Sequence, residues 1–162
     1  MTRVLVRLLL FVVAAVSGLA AVFLIGMRTK SPAVLDAVRR FNKSFNNPKQ
    51  MTTAGTPGAY ASVIEHTGRT SGTTYRTPVG TEPIEGGFLI ALPYGTRPDW
   101  VKNVLAAGSA VITAEGETVA VDQPEVVATA DVAQHFDDGE RRLMSLFNVE
   151  DCMQVHRSDQ QA

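Results

Sequence analysis

The stretch of sequence that decides the fold reads His66-Thr67-Gly68-Arg69-Thr70-Ser71-Gly72-Thr73-Thr74-Tyr75-Arg76-Thr77-Pro78. It lies between two β-patterned segments and combines glycines, arginines and a run of hydroxyl side chains. Gly68 and Gly72 let the backbone turn and approach a ligand closely. Arg69 and Arg76 offer forked, permanently charged donors that suit phosphate or carboxylate. The pattern therefore favours an anionic ligand, although a glycine-rich hairpin with solvated arginines explains these residues equally well.

A second motif follows at residues 90–108, which read IALPYGTRPDWVKNVLAAG. An apolar strand is expected to end in a Pro/Gly loop, after which a short helix opens with Trp100, the only tryptophan, and stops at Gly108. The pattern H-T-G-R-x-S-G-x-x-Y-R-T-P followed by P-D-W-V-x-N-x-x-A-x-G resembles the deazaflavin (coenzyme F420)-dependent nitroreductase and quinone reductase family of actinobacteria. The resemblance covers roughly residues 45–130.

The resemblance implies a split β-barrel of the FMN-binding type that takes a hydride from reduced coenzyme F420. The residues that it assigns to the cofactor are Gly68, Arg69, Thr70, Ser71, Gly72, Arg76, Thr77, Pro78, Trp100, Lys102 and Asn103. The glycine loop would cradle the phosphate and the acidic tail, residues 76–78 would follow the linker and ring, and the helix residues would complete the site. Split barrels also host flavin mononucleotide (FMN), which is the alternative cofactor.

Hydride transfer needs no metal and no protein nucleophile, so the protein has to align the reactants, exclude water and assist protonation. Tyr94, Tyr75 and His66 are candidate proton donors, and Tyr94 is preferred because it lies in the loop where the family places part of its site. A hydrophobic, quinone-like or other conjugated acceptor is expected. Thr70 replaces a lysine of the nitro-drug-reducing members, and residues 141–156 contain no tyrosine, so nitroimidazole reduction is not expected. A non-catalytic cofactor- or lipid-binding barrel is the alternative function.

Charge is distributed unevenly along the 162-residue chain. Residues 1–49 sum to +7 and residues 50–162 to −8. This asymmetry argues against a nucleic-acid partner because the body lacks a cationic surface for phosphates. It fits a basic segment that lies against anionic lipid. The single cysteine, Cys152, excludes an intramolecular disulfide, and no metal site is predicted around it.

Residues 4–26 are almost entirely apolar and would form a helix of about 35 Å, enough to cross a bilayer core of roughly 30 Å. Such a segment is either an uncleaved anchor or a secretory signal that is removed. Arg3 and Arg7 stand before its apolar run at residues 8–25, whereas Arg28, Lys30, Arg39, Arg40 and Lys43 follow it. The positive-inside rule then predicts a membrane-anchored protein with a cytoplasmic body, and secretion after cleavage is the alternative.

The sequence divides into an anchor or signal at 1–30, a juxtamembrane amphipathic helix at 31–50, a barrel at 51–150 and a loose polar tail at 151–162. The juxtamembrane helix is expected to begin with Ser31 as N-cap and Pro32 at its first position, and to end at residues 46–48. Strands are predicted near 59–65, 74–81, 88–92, 110–114, 118–122 and 124–129, with helices at 98–107 and 131–147. The fold class is mainly β (α+β), and a homodimer is a possible assembly.

Overall fold

The structure is a computed structural model that describes residues 2–158. Its body is a curled, open half-barrel made of one seven-stranded antiparallel sheet. Helices flank the sheet, and a long apolar helix precedes it. The predicted mainly β architecture with flanking helices is confirmed.

The strands are β1 (Ser62–Thr67), β2 (Thr74–Val79), β3 (Glu82–Ile84), β4 (Gly87–Ala91), β5 (Ser109–Ala114), β6 (Glu117–Ala128) and β7 (Asp151–Arg157). Their order across the sheet is β2-β1-β5-β6-β7-β4-β3. Local hairpins join β1 to β2, β3 to β4 and β5 to β6. The β5–β6 turn places Glu115 and Gly116 at φ values of 50° and 80°, the left-handed pair that suits the twist of a two-residue hairpin.

The half-barrel encloses an apolar core to which most strands contribute. Ile64, Ile112 and Val121 are fully buried in it. Helix α4 (Asp99–Ala107) packs on the core through Val101 and Val104, both of which are also fully buried. The helix ends where Gly108 adopts a left-handed φ of 70°, as the sequence predicted.

The polar C-terminal segment is a central strand. The prediction of a loose tail is wrong for residues 151–157, because β7 pairs with β4 on one side and with β6 on the other. Cys152 and Met153 point to opposite faces and are both fully buried, Cys152 beneath the C-terminal helices and Met153 in the barrel core. Because only three apolar residues serve both faces, the segment lacks the alternation that marks a half-buried strand.

The two strands predicted at 118–122 and 124–129 are one strand, β6. A register shift between Asp122 and Glu125 bends it, and Gln123 takes a φ of 50° at the bend. Pro124 lies in this irregular part of the ladder, where a residue without an N–H is tolerated.

The helices before the barrel continue further than the sequence suggested. Helix α2 (Pro32–Phe41) leads into a π-helical turn (Asn42–Asn46) and then into α3 (Asn47–Gln50). The prediction of a helix end at residues 46–48 is wrong, because the helical backbone continues through Asn47 and Pro48 falls in the first turn of α3, directly after the π-helical turn. Ser31 holds the N-cap position, but its side chain makes no capping bond.

The helix predicted at 131–147 is interrupted. The structure has α5 (Thr129–Val132), a 3₁₀ turn (Ala133–His135) and α6 (Asp138–Leu146). Asp137 starts α6 afresh through a capping box, since its carboxylate accepts from the Glu140 N–H at 2.8 Å and its own N–H donates to the Glu140 side chain at 3.2 Å.

Helix α1 (Thr2–Arg28) is exposed along its apolar length and touches the body only near its end. Within Val4–Arg28 an 18-residue stretch has a mean hydropathy of 2.9, and a helix of this kind occurs both in membrane anchors and in signal sequences. Phe23 meets Phe147 edge to face at 6.1 Å. The Arg28 guanidinium donates to the carbonyls of Ser145 and Leu146, at 2.9 and 3.0 Å, in the final turn of α6, where basic side chains bind favourably.

Candidate functional site

A cavity of about 1040 Å³ lies between the α2–α3 helical segment, the β1–β2 loop and the start of α4. The predicted site residues that line it are Gly68, Arg69, Thr70, Ser71, Arg76, Thr77, Pro78, Tyr94, Trp100 and Asn103. Gly72 and Lys102 lie outside the lining; Gly72 is exposed in the loop and Lys102 on the outer face of α4. Contact between these two residues and a cofactor stays a prediction.

The β1–β2 loop turns tightly around Gly68. The Gly68 N–H donates to the Thr73 carbonyl, and the Gly72 N–H donates to the Gly68 carbonyl, each at 2.8 Å. A Cβ at Gly68 would lie 2.5 Å from Ser71 Oγ and 2.7 Å from Tyr75 Cε2. A larger residue at this position would displace the Ser71 hydroxyl and the tyrosine ring, so these two side chains pack directly on the glycine loop.

A buried asparagine ties this loop to α4. Asn103 Oδ1 accepts from the Arg69 backbone N–H at 3.2 Å and from Arg69 Nη1 at 2.8 Å, while Asn103 Nδ2 donates to His66 Nδ1 at 3.2 Å. Arg69 also pairs with Asp99 at 3.1 Å. The side chain expected to bind the cofactor thus holds the loop in place, and its direct contact with a cofactor stays a prediction.

His66 has protein neighbours at both ring nitrogens. Besides the bond at Nδ1, its Nε2 lies 3.2 Å from the Thr77 hydroxyl, and its ring stacks on Tyr75 at 5.8 Å. Burial lowers the pKa of His66, against a weaker opposite effect of the Asp99 charge. A neutral, fully engaged imidazole fits a structural role better than proton transfer.

Tyr94 faces the cavity with its hydroxyl held by Asn42. The phenol oxygen accepts from Asn42 Nδ2 at 2.7 Å, so the hydroxyl hydrogen remains available to a ligand. Burial raises the pKa of Tyr94, partly offset by the Asn42 hydrogen bond. The group is therefore a protonated donor at neutral pH. Sequence reasoning missed Asn42, which reaches this position from the π-helical turn.

Cations line the cavity from two sides. Arg69 and Arg76 lie on the barrel side, and Arg39, Arg40 and Lys43 come from the helical segment, whose basic residues the sequence had not linked to a ligand. Two acidic residues line it as well, Asp36 paired with Arg39 and Asp99 paired with Arg69. The excess of positive charge fits a ligand with phosphate and carboxylate groups.

The cavity also has an apolar part. Ile90 and Leu92 line it from β4 and the loop that follows, and both are almost fully buried. Trp100 lines it from α4 and packs against the barrel core. A planar ring system would find apolar surface here beside the cations, which fits the two-part chemistry of a deazaflavin cofactor.

Two solved structures illustrate what the chain is similar to. A structure of an F420-H2-dependent reductase (FDR-A) aligns with a TM-score of 0.45 at 12% sequence identity, covering 60% of this chain and 94% of that chain. A structure described as a domain-swapped dimer aligns with a TM-score of 0.47 at 13% identity, covering 78% of this chain and all of that chain. Among curated proteins, none matches the sequence.

Family membership follows from a sequence match. Residues 37–150 match the family described as F420H(2)-dependent quinone reductase, and they make up well over half of the chain. The match includes the loop at Gly68, the loop at Tyr94 and all of α4. The chain therefore belongs to the F420H(2)-dependent quinone reductase family, whose members are oxidoreductases with coenzyme F420 as their cofactor.

Proposed function

We propose that this protein is a membrane-anchored reductase that passes a hydride from F420H2 to a hydrophobic, quinone-like conjugated acceptor. The observation that carries the proposal is the composition of the cavity, in which five cationic side chains lie beside an apolar wall and a half-buried tyrosine. Binding of the cofactor would use Arg69, Arg76 and the glycine loop for its anionic parts and Trp100 for its ring.

Residues of the site carry out proton transfer, orientation of the proton donor and exclusion of water. When bound, the reduced deazaflavin supplies the hydride. Tyr94 donates its phenolic proton to the acceptor oxygen that becomes a hydroxyl and then regains a proton from solvent. Asn42 keeps the phenol oriented, and the apolar wall excludes water from the reacting atoms. This division of roles needs no metal ion and no covalent link to the protein.

The proposed class of acceptor follows from the apolar helix α1 and from the residues present at positions 70 and 141–156. Helix α1 would hold the cavity close to lipid-soluble acceptors, with the basic residues that follow it on the cytoplasmic side. Thr70 and the absence of tyrosine from residues 141–156 make nitroimidazoles poor candidates. A homodimer stays a prediction from the sequence.

The first test is a titration of the full chain in detergent micelles with F420 and separately with FMN, followed by fluorescence of Trp100, the only tryptophan. Saturable quenching by F420, together with oxidation of F420H2 by a short-chain quinone, is the expected result. Quenching by FMN alone would show that FMN, and not F420, is the cofactor. Binding without oxidation by any of a panel of quinones would instead support a non-catalytic binding protein.

A matched pair of arginine variants links the affinity to the loop. Arg69→Ala removes a charge-assisted contact and should weaken F420 binding by about 1.5–3 kcal/mol. Arg97→Ala removes the same charge from an exposed position outside the cavity and should leave the affinity unchanged. Equal affinities in the two variants would show that the loop does not contribute to F420 binding.

A further inference from the structure

Two pairs of apolar side chains project from the surface of the body near the end of α1. Leu143 and Leu146 are 53% and 43% exposed on α6. Phe41 and Phe45 are 60% and 69% exposed, and their rings stack on each other at 5.5 Å. Exposed apolar residues that cluster in this way mark an interaction surface.

The end of α6, which carries Leu143 and Leu146, lies beside the apolar stretch of α1. Phe147, next to Leu146, contacts Phe23, which belongs to the apolar stretch of α1. Phe23 precedes Arg28 by five residues, which corresponds to about 7.5 Å along a helix. If α1 spans a bilayer with Arg28 at its surface, the end of α6 enters the interfacial layer.

A chain of contacts leads from there to the phenylalanine pair. Lys30 Nζ donates to the carbonyls of Phe147 and Pro93, each at 3.3 Å. Pro93 precedes Tyr94, whose hydroxyl is bound by Asn42, the residue after Phe41. Lys30 therefore ties the end of α1 to α6 and to the loop that lines the cavity, and the same loop is bonded to the segment that carries the phenylalanine pair.

Positive charges accompany the phenylalanine pair. Arg40, Lys43 and Lys49 are exposed around the phenylalanines, whereas α6 carries Arg141 and Arg142 against Asp138 and Glu140. Apolar side chains interspersed with cations are typical of elements that lie in the interface of an anionic membrane. A lipid surface fits this surface better than a protein partner because α1 leads directly into it.

We propose that Leu143, Leu146, Phe41 and Phe45 form a lipid-docking surface that seats the body on an anionic bilayer, so that the cavity opens beside the membrane. The inference rests on the proposed membrane anchoring of α1. A hydrophobic acceptor would then reach Tyr94 from the bilayer without crossing bulk water.

The test uses the full chain reconstituted into vesicles of phosphatidylcholine and phosphatidylglycerol, with and without bromine on the acyl chains. Tryptophan is introduced as Leu143→Trp or Phe45→Trp, and wild-type fluorescence provides the Trp100 background. Each added tryptophan should lose about half of its fluorescence to brominated lipid, as expected for a residue in the interface. Tyr60→Trp is the matched control, because Tyr60 is 85% exposed and follows Gly58, whose N–H donates to Glu115 of the β5–β6 turn at 2.8 Å. Quenching of only one probe, or of all three equally, would overturn the docking surface.

Co-sedimentation with the same vesicles separates this inference from the proposal on which it rests. Protein that stays in the supernatant would refute membrane anchoring itself. Protein that sediments while Leu143→Trp and Phe45→Trp remain unquenched would refute only the docking surface. Probes that are shielded from both brominated lipid and aqueous iodide would identify a second protein chain as the occupant, which would also refute lipid docking.

Discussion

Replacing Asn103 by alanine removes three hydrogen bonds between the β1–β2 loop and α4. Two of these bonds join neutral groups, namely the bond from the backbone N–H of Arg69 and the bond to His66. Each is worth about 1 kcal/mol. The third bond comes from the Arg69 guanidinium. Because the Arg69 side chain is 37% exposed, water solvates the charge and the free energy lost with this bond is smaller than for a buried pair. Together with the unpaired Nδ1 of buried His66, the expected decrease in the free energy of unfolding is about 2–4 kcal/mol.

Thermal unfolding of the full chain in detergent, followed by circular dichroism, measures this decrease. For a domain of this size, about 2–4 °C of Tm corresponds to each kcal/mol, so Asn103→Ala should lower the Tm by roughly 4–16 °C. Lys102→Ala is the matched control, because Lys102 is the exposed neighbour on the same helix and its removal should change stability by less than about 0.5 kcal/mol. A Tm for Asn103→Ala that equals the control would refute the argument that this asparagine holds the loop.

Three further predictions test other parts of the structure. Tyr94→Phe should lower kcat by about 100-fold without weakening F420 binding, since a general acid contributes at least that much; steady-state kinetics with unchanged kcat would contradict it. Gly87→Ala would press a Cβ into the Val155 carbonyl and should destabilise by about 1–3 kcal/mol in urea unfolding, whereas Gly80→Ala, with open space around it, should not. His66 has a pKa below its ordinary 6.5, so its contribution to stability is present above that pH and lost on acidification. His66→Gln should flatten this pH dependence, and an unchanged slope in urea unfolding would show that another group causes it.

The sequence predicted the elements whose signals are local. The glycine-rich hairpin and the start and stop of α4 are each encoded by residues within a few positions of one another. β7 was missed because its place is decided by pairing with β4 and β6, and its three apolar residues give no periodic signal. The break before α6 was missed because a capping box inside an apolar helical pattern is easily read as ordinary polar residues.

The same distinction applies to the cavity. The loop around Arg69 and the helix residues Trp100 and Asn103 belong to recognisable motifs, and they do come together. The bond between Asn42 and Tyr94 joins a helix to a distant loop and leaves no trace in local sequence. The basic residues of α2 are apparent in the sequence, but their position at the cavity depends on how that helix lies over the barrel.

The central position of β7 has a kinetic consequence. Without it the sheet falls into two separate parts, β2-β1-β5-β6 and the short β4–β3 hairpin. During synthesis the hairpin therefore emerges long before the strand that joins it to the rest, as the pairing of Ile90 with Met153 illustrates. Pairing across such a separation is slow, and an unpaired strand edge invites association with other chains. The nascent protein thus passes through a stage in which its first hairpins are exposed, and its yield in cells should depend on how well chaperones protect that stage.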